Sequence, residues 1–187
     1  SAAAIGDFVE NMFVEHTVPI EIWGKFDSIV IQLFFQYPYD SDSLREANYG
    51  IKLPERRAFT RIAPYQQGWD WRPRLATCGI WKPAYITNRH PGSVCCNNVA
   101  THKTKVELKQ EQDSIGQSFT FYKDGKPIFI KGANWIPVHS FPVLDSANRA
   151  RYRHLLCSAK EAGFNMIRIW GGGIYEHDYF YDLCDSL

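Results

Sequence analysis

Asn165-Met166-Ile167-Arg168-Ile169-Trp170-Gly171-Gly172-Gly173 is the stretch on which the fold turns. Its first six residues are mostly apolar and run straight into glycines, the pattern of a short buried strand that ends in a glycine-rich loop. Upstream, Asp145 can cap a helix in which Tyr152, Leu155, Leu156, Ala159 and Ala162 recur at helical spacing, and Gly163 stands where a C′ glycine ends one. Downstream, Phe180, Leu183 and Leu187 share one face of a second helix. Lys123-Asp124-Gly125-Lys126 supplies an Asp-Gly hairpin signal that leads into Pro127-Ile128-Phe129-Ile130. Strand, helix, strand, helix is the opening of a parallel α/β unit. Such units present functional residues where strands end, which singles out Arg168 and Trp170, and Asn134-Trp135-Ile136-Pro137 as the matching loop after the preceding strand. The plainer alternative is a glycine-rich turn with Trp170 as packing. As a phosphate cradle the glycine run is weak, because no Gly-x-x-x-x-Gly-Lys pattern is present.

Working back along the chain, Lys103–Gln110 and Ser118–Lys123 alternate in strand fashion, and Thr87–Thr101 is featureless. Met12, Val14, His16, Val18, Ile20 and Ile22 alternate between Asn11 and Ile22, and Ser28–Phe35 is a short β-branched and aromatic run. Both predict strands, so the first third reads as β-sheet. Gln36–Thr60 turns polar and reads as a long surface excursion. Arg61–Ile86 mixes Tyr65, Trp69, Trp71, Trp81 and Tyr85 with prolines and glycines, which argues against a regular strand or helix.

Composition narrows the function classes. The 187 residues are 45% hydrophobic, 22% charged and 15% aromatic, which excludes disorder throughout. The length suits one complete domain or two incomplete ones; a whole (β/α)8 barrel of roughly 250 residues does not fit. A formal net charge of +1, with no long run of one sign, predicts no nucleic-acid partner. The most apolar run, Ile29–Phe35, is far shorter than the roughly 18 residues of a membrane span, so no membrane partner is expected. Ser1-Ala2-Ala3-Ala4 has neither the basic start nor the apolar core of a signal peptide. Cys78, Cys95, Cys96, Cys157 and Cys184 are odd in number and follow no zinc spacing, so they read as ordinary thiols. The six histidines form no His-x-x-x-His and no Gly-x-Ser-x-Gly elbow exists, which leaves metalloprotease and serine hydrolase chemistry without support. Glu176, Asp178, Asp182 and Asp185 read as a solvated face with helix-start electrostatics.

Gly68-Trp69-Asp70-Trp71 is a third cluster that is suggestive when taken alone. A carboxylate between two indoles suits a sugar, whose hydroxyls need acceptors and whose C–H faces pack on aromatic rings. From composition alone the plainer reading leads, with Trp69 and Trp71 as core anchors and Asp70 as a turn residue.

In order and wording these clusters resemble the β-mannosidases of glycoside hydrolase family 2. Asn11-Met12-Phe13-Val14 resembles a strand of that family's N-terminal jelly roll, and Gly68–Trp71 with Cys78-Gly79-Ile80-Trp81-Lys82 resembles its substrate-facing loop. Gly125–Ile136 resembles the lead-in to the catalytic barrel, and Asn165–Asp185 is the most specific stretch. The implied fold class is mixed: an N-terminal β part, a partial jelly-roll sandwich, followed by α/β, the first strands and helices of a TIM barrel. The implied domains are a partial jelly-roll sugar-binding domain (1–86), a shortened immunoglobulin-like linker region (87–122) and the start of the (β/α)8 barrel (123–187). Lys82–Asn134 spans only 53 residues, where the family carries an immunoglobulin-like domain of roughly 100. Arg72 stands where the family usually has glycine, and Val138-His139 replaces its usual Ala-Asp.

The resemblance implies a retaining glycosidase that removes terminal β-linked mannose without a cofactor, using two glutamates that lie beyond Leu187. Asp70, flanked by Trp69 and Trp71, would bind mannose hydroxyls. Trp170 would wall the same subsite, Asn134 and Trp135 would line the barrel mouth, and Arg168 would help keep the nucleophile ionised. Implied partners are β-mannoside oligosaccharides such as N-glycan ends, in the lysosome if the chain is animal. The alternative is a non-catalytic mannose-binding or folding remnant, since two barrel strands cannot close a barrel.

Overall fold

The structure, a computed structural model, describes residues 11–18, 30–86 and 106–187. The chain divides into two compact units: Ser1–Cys95 with Ser140–Val143 and Gly172–Ile174, and Cys96–His139 with Leu144–Gly171 and Tyr175–Leu187.

In the first unit, helix α1 (Pro38–Tyr49) is followed by 3₁₀ turns at Arg56–Phe59 and Pro64–Gln67. Here the structure departs from the sequence reading. The expected surface excursion holds a helix of 12 residues, begun by Pro38 at its first turn and stopped at Gly50. Its polar composition hid it, because it is anchored by polar contacts and not by an apolar stripe. Asp42 is fully buried and accepts a hydrogen bond from Thr60 Oγ1, Arg45 Nη1 donates to Phe59 O at 2.8 Å, and Tyr49 meets Phe59 edge-on at 5.6 Å. These contacts tie α1 to the first 3₁₀ turn.

Both strands expected in the first third are corrected over their described residues; 19–22 and 28–29 lie outside them. Asn11 makes an isolated parallel bridge with Arg61, but its Oδ1 then accepts from Phe13 N at 3.0 Å and turns the chain. A side-chain acceptor here outcompetes the ladder. Residues 30–35 carry no regular structure, and Val30 and Phe34 are 82% and 92% exposed. Alternation yields a strand only where a ladder partner and a face to cover exist, and no strand pairs with this run among the described residues. The stretch 61–86 has the irregular character expected of it, with one 3₁₀ turn packed through Ala63, Tyr65, Gln66 and Gln67.

The second unit follows the sequence reading more closely. Strands β1 (Val106–Lys109), β2 (Thr120–Lys123) and β3 (Lys126–Ile128) form an antiparallel sheet. The β2–β3 turn has Asp124 and Gly125 at φ 50° and 78°, the two left-handed positions of a type I′ hairpin. The featureless stretch 87–101 lies outside the described residues. Strands β4 (Gly132–Trp135) and β5 (Met166–Ile169) then pair in parallel across helix α2 (Ser146–Glu161), and α3 (Asp178–Ser186) follows. A Cβ on Gly132 would lie 1.9 Å from Met166 O, so only glycine lets the two strands approach. Asn165 fixes the register at the start of the pair: its Oδ1 accepts from Lys131 N and its Nδ2 donates to Phe129 O, both at 2.9 Å.

Asp145 caps α2 as expected, accepting from Asn148 N at 2.8 Å. Trp135, Tyr152, Leu156, Phe180 and Leu183 form the core, with Ile167, Ile169 and Leu187 packed on it. Burying side chains of this size contributes about 1.5–3 kcal/mol each. Leu155, expected on the buried stripe, is 44% exposed. Strand β5, expected to be buried, is covered on one face: Ile167 and Ile169 meet the core while Arg168 is exposed.

Candidate functional site

The candidate residues fall into two groups, one in each unit. In the first unit, Trp69 N donates to Arg72 O at 3.0 Å and Arg72 N donates to Trp69 O at 3.1 Å. This closed pair leaves Asp70 and Trp71 as the two central residues of a tight turn. Gly68 enters it at φ 105°, a conformation other residues rarely adopt. Asp70 is exposed at the tip, and Trp69 and Trp71 are 39% and 37% exposed. Asp70 is thus a turn residue, as one of the two sequence readings has it, but the indoles are not core anchors. Trp71 stacks on buried Tyr65 at 5.6 Å, and the Arg57 guanidinium lies 5.0 Å from the centre of the Trp69 ring.

Beside the turn lies an open cleft of about 940 Å³, lined by Pro54, Glu55, Arg57, Gln67, Gly68, Trp69, Asp70 and Arg74. Two carboxylates and two guanidiniums balance in its wall. Acceptors, donors and an indole gathered around a neutral concavity suit a polyhydroxyl ligand without a net charge.

Arg72 occupies the position that the motif resemblance assigns to glycine. Its φ is not positive, so a side chain there strains no backbone. The side chain folds inward, 4% exposed, donating to Tyr65 O at 3.0 Å and Leu75 O at 3.3 Å with its guanidinium 4.8 Å from the Tyr65 ring centre. Burial pulls its pKa below the ordinary value. It braces the turn from beneath.

In the second unit, Asn134 and Arg168 are register partners on β4 and β5, both exposed, and Arg168 Nη1 donates to Asn134 Oδ1 at 3.0 Å. Trp170 N continues the ladder by donating to Trp135 O at 2.9 Å. Trp135 itself lies in the core, 8% exposed, stacked on Tyr152 at 5.9 Å and tilted against Phe180 at 4.9 Å.

Glu176 corrects the sequence reading. It is not part of a solvated face: at 2% exposure it accepts from Trp135 Nε1 at 2.9 Å and from Tyr152 Oη. Burial raises its pKa, and the two hydrogen bonds offset part of that rise. Its neighbours in sequence, Asp178, Asp182 and Asp185, disguise it as one more surface acid; nothing in the spacing distinguishes it. Arg57, which holds the tryptophan turn, was likewise hidden within a polar run.

Among the described residues no group of three His, Cys, Asp or Glu is placed to hold a metal, and no helix is long and apolar enough to cross a membrane. Cys78, Cys157 and Cys184 are free thiols; Cys95 and Cys96 lie outside the described residues.

Residues 4–82 match the family described as glycosyl hydrolase 2 galactose-binding domain-like. Over 84 residues the chain is 52% identical to a β-mannosidase of Bos taurus, which covers 44% of this chain and 9% of the bovine protein. A β-mannosidase B of Aspergillus clavatus is 43% identical over 82 residues, 44% of this chain and 10% of that protein. In fold, the chain is similar to the solved β-D-mannosidase of Dictyoglomus thermophilum, with a TM-score of 0.62 and 29% identity over 79% of this chain and 30% of that one. The chain therefore matches about a tenth of the length of these curated relatives. Sequence and fold both support its resemblance to the β-mannosidases of glycoside hydrolase family 2.

Proposed function

We propose that these residues form part of the sugar-recognition apparatus of a β-mannosidase-type retaining glycosidase. The observation that carries this reading is the Trp69-Asp70-Trp71 turn, exposed beside a charge-balanced cleft within the segment that matches the glycosyl hydrolase 2 family. Asp70 accepts hydrogen bonds from hydroxyls of a terminal β-linked mannose while Trp69 and Trp71 pack against its C–H faces. The ligands are β-mannoside oligosaccharides such as N-glycan ends, and the setting, if the chain is animal, is the lysosome.

Residues 1–86, whose described part holds α1 and two 3₁₀ turns in place of the expected jelly-roll strands, serve as a galactose-binding-like sugar-binding domain, 87–122 as a shortened immunoglobulin-like linker and 123–187 as the start of a (β/α)8 barrel. The parallel β4-α2-β5-α3 unit and a fold likeness reaching beyond the sequence match support the barrel assignment. In the barrel, Asn134 lines the mouth, buried Trp135 supports it from the core, and Trp170 follows at the end of the same strand pair. Arg168, held by Asn134, keeps a nucleophilic carboxylate ionised. Hydrolysis uses two glutamates beyond Leu187: one protonates the leaving oxygen while the other, about 5–5.5 Å away, forms the glycosyl intermediate.

A second reading, a mannose-binding chain without turnover, is favoured by one feature: the cleft, Asp70 included, lies wholly within one unit. Titration of the 187-residue chain with methyl β-D-mannoside tests the shared core of both. Binding is expected, and Asp70→Ala is expected to remove it. Equal affinity in wild type and variant overturns both. Release of p-nitrophenol from an aryl β-mannoside by this chain overturns the assignment of the catalytic pair beyond Leu187.

A further inference from the structure

The tryptophan turn is not held by its own hydrogen bonds alone. Arg57, in the 3₁₀ turn Arg56–Phe59, makes two contacts there and a third with Glu55 beside it. Its Nη1 donates to Gly68 O at 3.1 Å, its guanidinium covers Trp69 at 5.0 Å, and its Nε pairs with Glu55 Oε2 at 2.9 Å. Only a planar fork can satisfy a carbonyl, a carboxylate and a ring face together; a lysine ammonium is a point charge without that geometry. The 3₁₀ turn is in turn anchored to α1 by the Thr60–Asp42 hydrogen bond, by Arg45 Nη1 on Phe59 O and by Tyr49 against Phe59. A continuous line of contacts thus runs from α1 to Arg57 and on to Gly68 and Trp69, and Asp70 follows at the tip.

We propose that Arg57 is a positioning residue that fixes the Trp69-Asp70 tip for ligand, with Glu55 setting the angle of its guanidinium. A carboxylate on an exposed two-residue turn can swing; sugar recognition requires its oxygens within a few tenths of an ångström of the hydroxyl positions, and that accuracy comes from supporting contacts. The inference rests on the carbohydrate reading of Asp70, but its first consequence, the placement of Trp69, does not.

The test uses the 187-residue chain with Arg57→Ala, Arg57→Lys, Glu55→Gln and Asp70→Ala. The Trp69 indole N–H resonance, assigned through Trp69→Phe, reports the turn, and titration with methyl β-D-mannoside reports affinity. Arg57→Ala and Arg57→Lys are expected to move the indole resonance and weaken binding at least tenfold, while Arg57→Lys melts within a few degrees of wild type. Affinity lost at matched stability separates positioning from plain structural support. Glu55→Gln is expected to show a smaller loss in the same direction, and it carries the test if Arg57→Ala does not fold. Asp70→Ala is expected to abolish binding with the indole resonance in place. Wild-type affinity in Arg57→Lys, or an unmoved indole in both Arg57 variants, overturns the proposal. A moved indole alongside full binding by Asp70→Ala overturns the carbohydrate reading and leaves the placement of Trp69 by Arg57 standing.

Discussion

Glu176 and Arg72 are opposite solutions to burying a charge. Arg72 keeps its proton and spends it on carbonyl oxygens of Tyr65 and Leu75, lowered in pKa by lost hydration but with a backbone that needs it. Glu176 is pushed the other way: burial favours its neutral form, although Trp135 and Tyr152 donate to it. A carboxyl whose folded pKa is raised binds its proton more tightly in the folded chain than in the unfolded one. Its contribution to stability is therefore whole below the ordinary value of 4.5 and is lost as pH rises from there through the raised value. Glu176→Gln removes that titration while keeping an acceptor. The difference in melting temperature, variant minus wild type, should grow with pH across that window and then level off; a difference flat from pH 4 to 8 would sink the claim. No residue pattern announces either site. A lone glutamate beside three aspartates looks like surface, and an arginine after Trp-Asp-Trp looks like a disrupted loop. What distinguishes them is which groups converge on them from Trp135, Tyr152, Tyr65 and Leu75, distant or turned-back positions that spacing does not encode.

Elements were legible where local chemistry and tertiary context agree. The Asp124-Gly125 hairpin, the capped helix α2 and the strand before the glycine run are each signalled by residues that act on their own backbone. The cap is testable: Asp145→Ala removes the acceptor for Asn148 N and should destabilise the second unit by about 1 kcal/mol. Asp145→Asn should restore most of it, and thermal unfolding followed by far-UV circular dichroism reads both. An alanine variant as stable as wild type would show that the cap contributes nothing. Elements were misread where context decides. Residues 30–35 have strand chemistry and no ladder, while α1 has loop chemistry and a helix. Pro38 and Gly50 bracket α1 as first-turn and stop residues do, but no apolar stripe accompanies that punctuation in the sequence. That helix anchors the turn that carries Arg57.

At the scale of the whole chain, the uncovered strand-like run has its own consequence. Val30, Leu33, Phe34 and Phe35 are 82%, 57%, 92% and 54% exposed, and they stand within six consecutive positions. Single exposed apolar side chains are ordinary, but a contiguous group with strand chemistry is a template for pairing with another chain. Low local charge adds to this, since Ile29–Tyr37 contains no charged residue to keep copies apart. The purified chain is therefore expected to bind an apolar dye such as anilinonaphthalene sulfonate and to associate as its concentration rises. Val30→Ser with Phe34→Ser should lower both, with the far-UV spectrum unchanged because neither side chain is packed. Analytical ultracentrifugation from micromolar to sub-millimolar protein reads the association. If the double variant associates as wild type does, the run is not the contact surface. If it stays monomeric and also shows normal dye binding, other exposed residues, such as Ile115 at 96% and Phe129 at 81%, carry the dye signal. A chain held monomeric by two serines would also permit sugar titrations free of self-association, so that a loss in Asp70→Ala reports the cleft and not the aggregate.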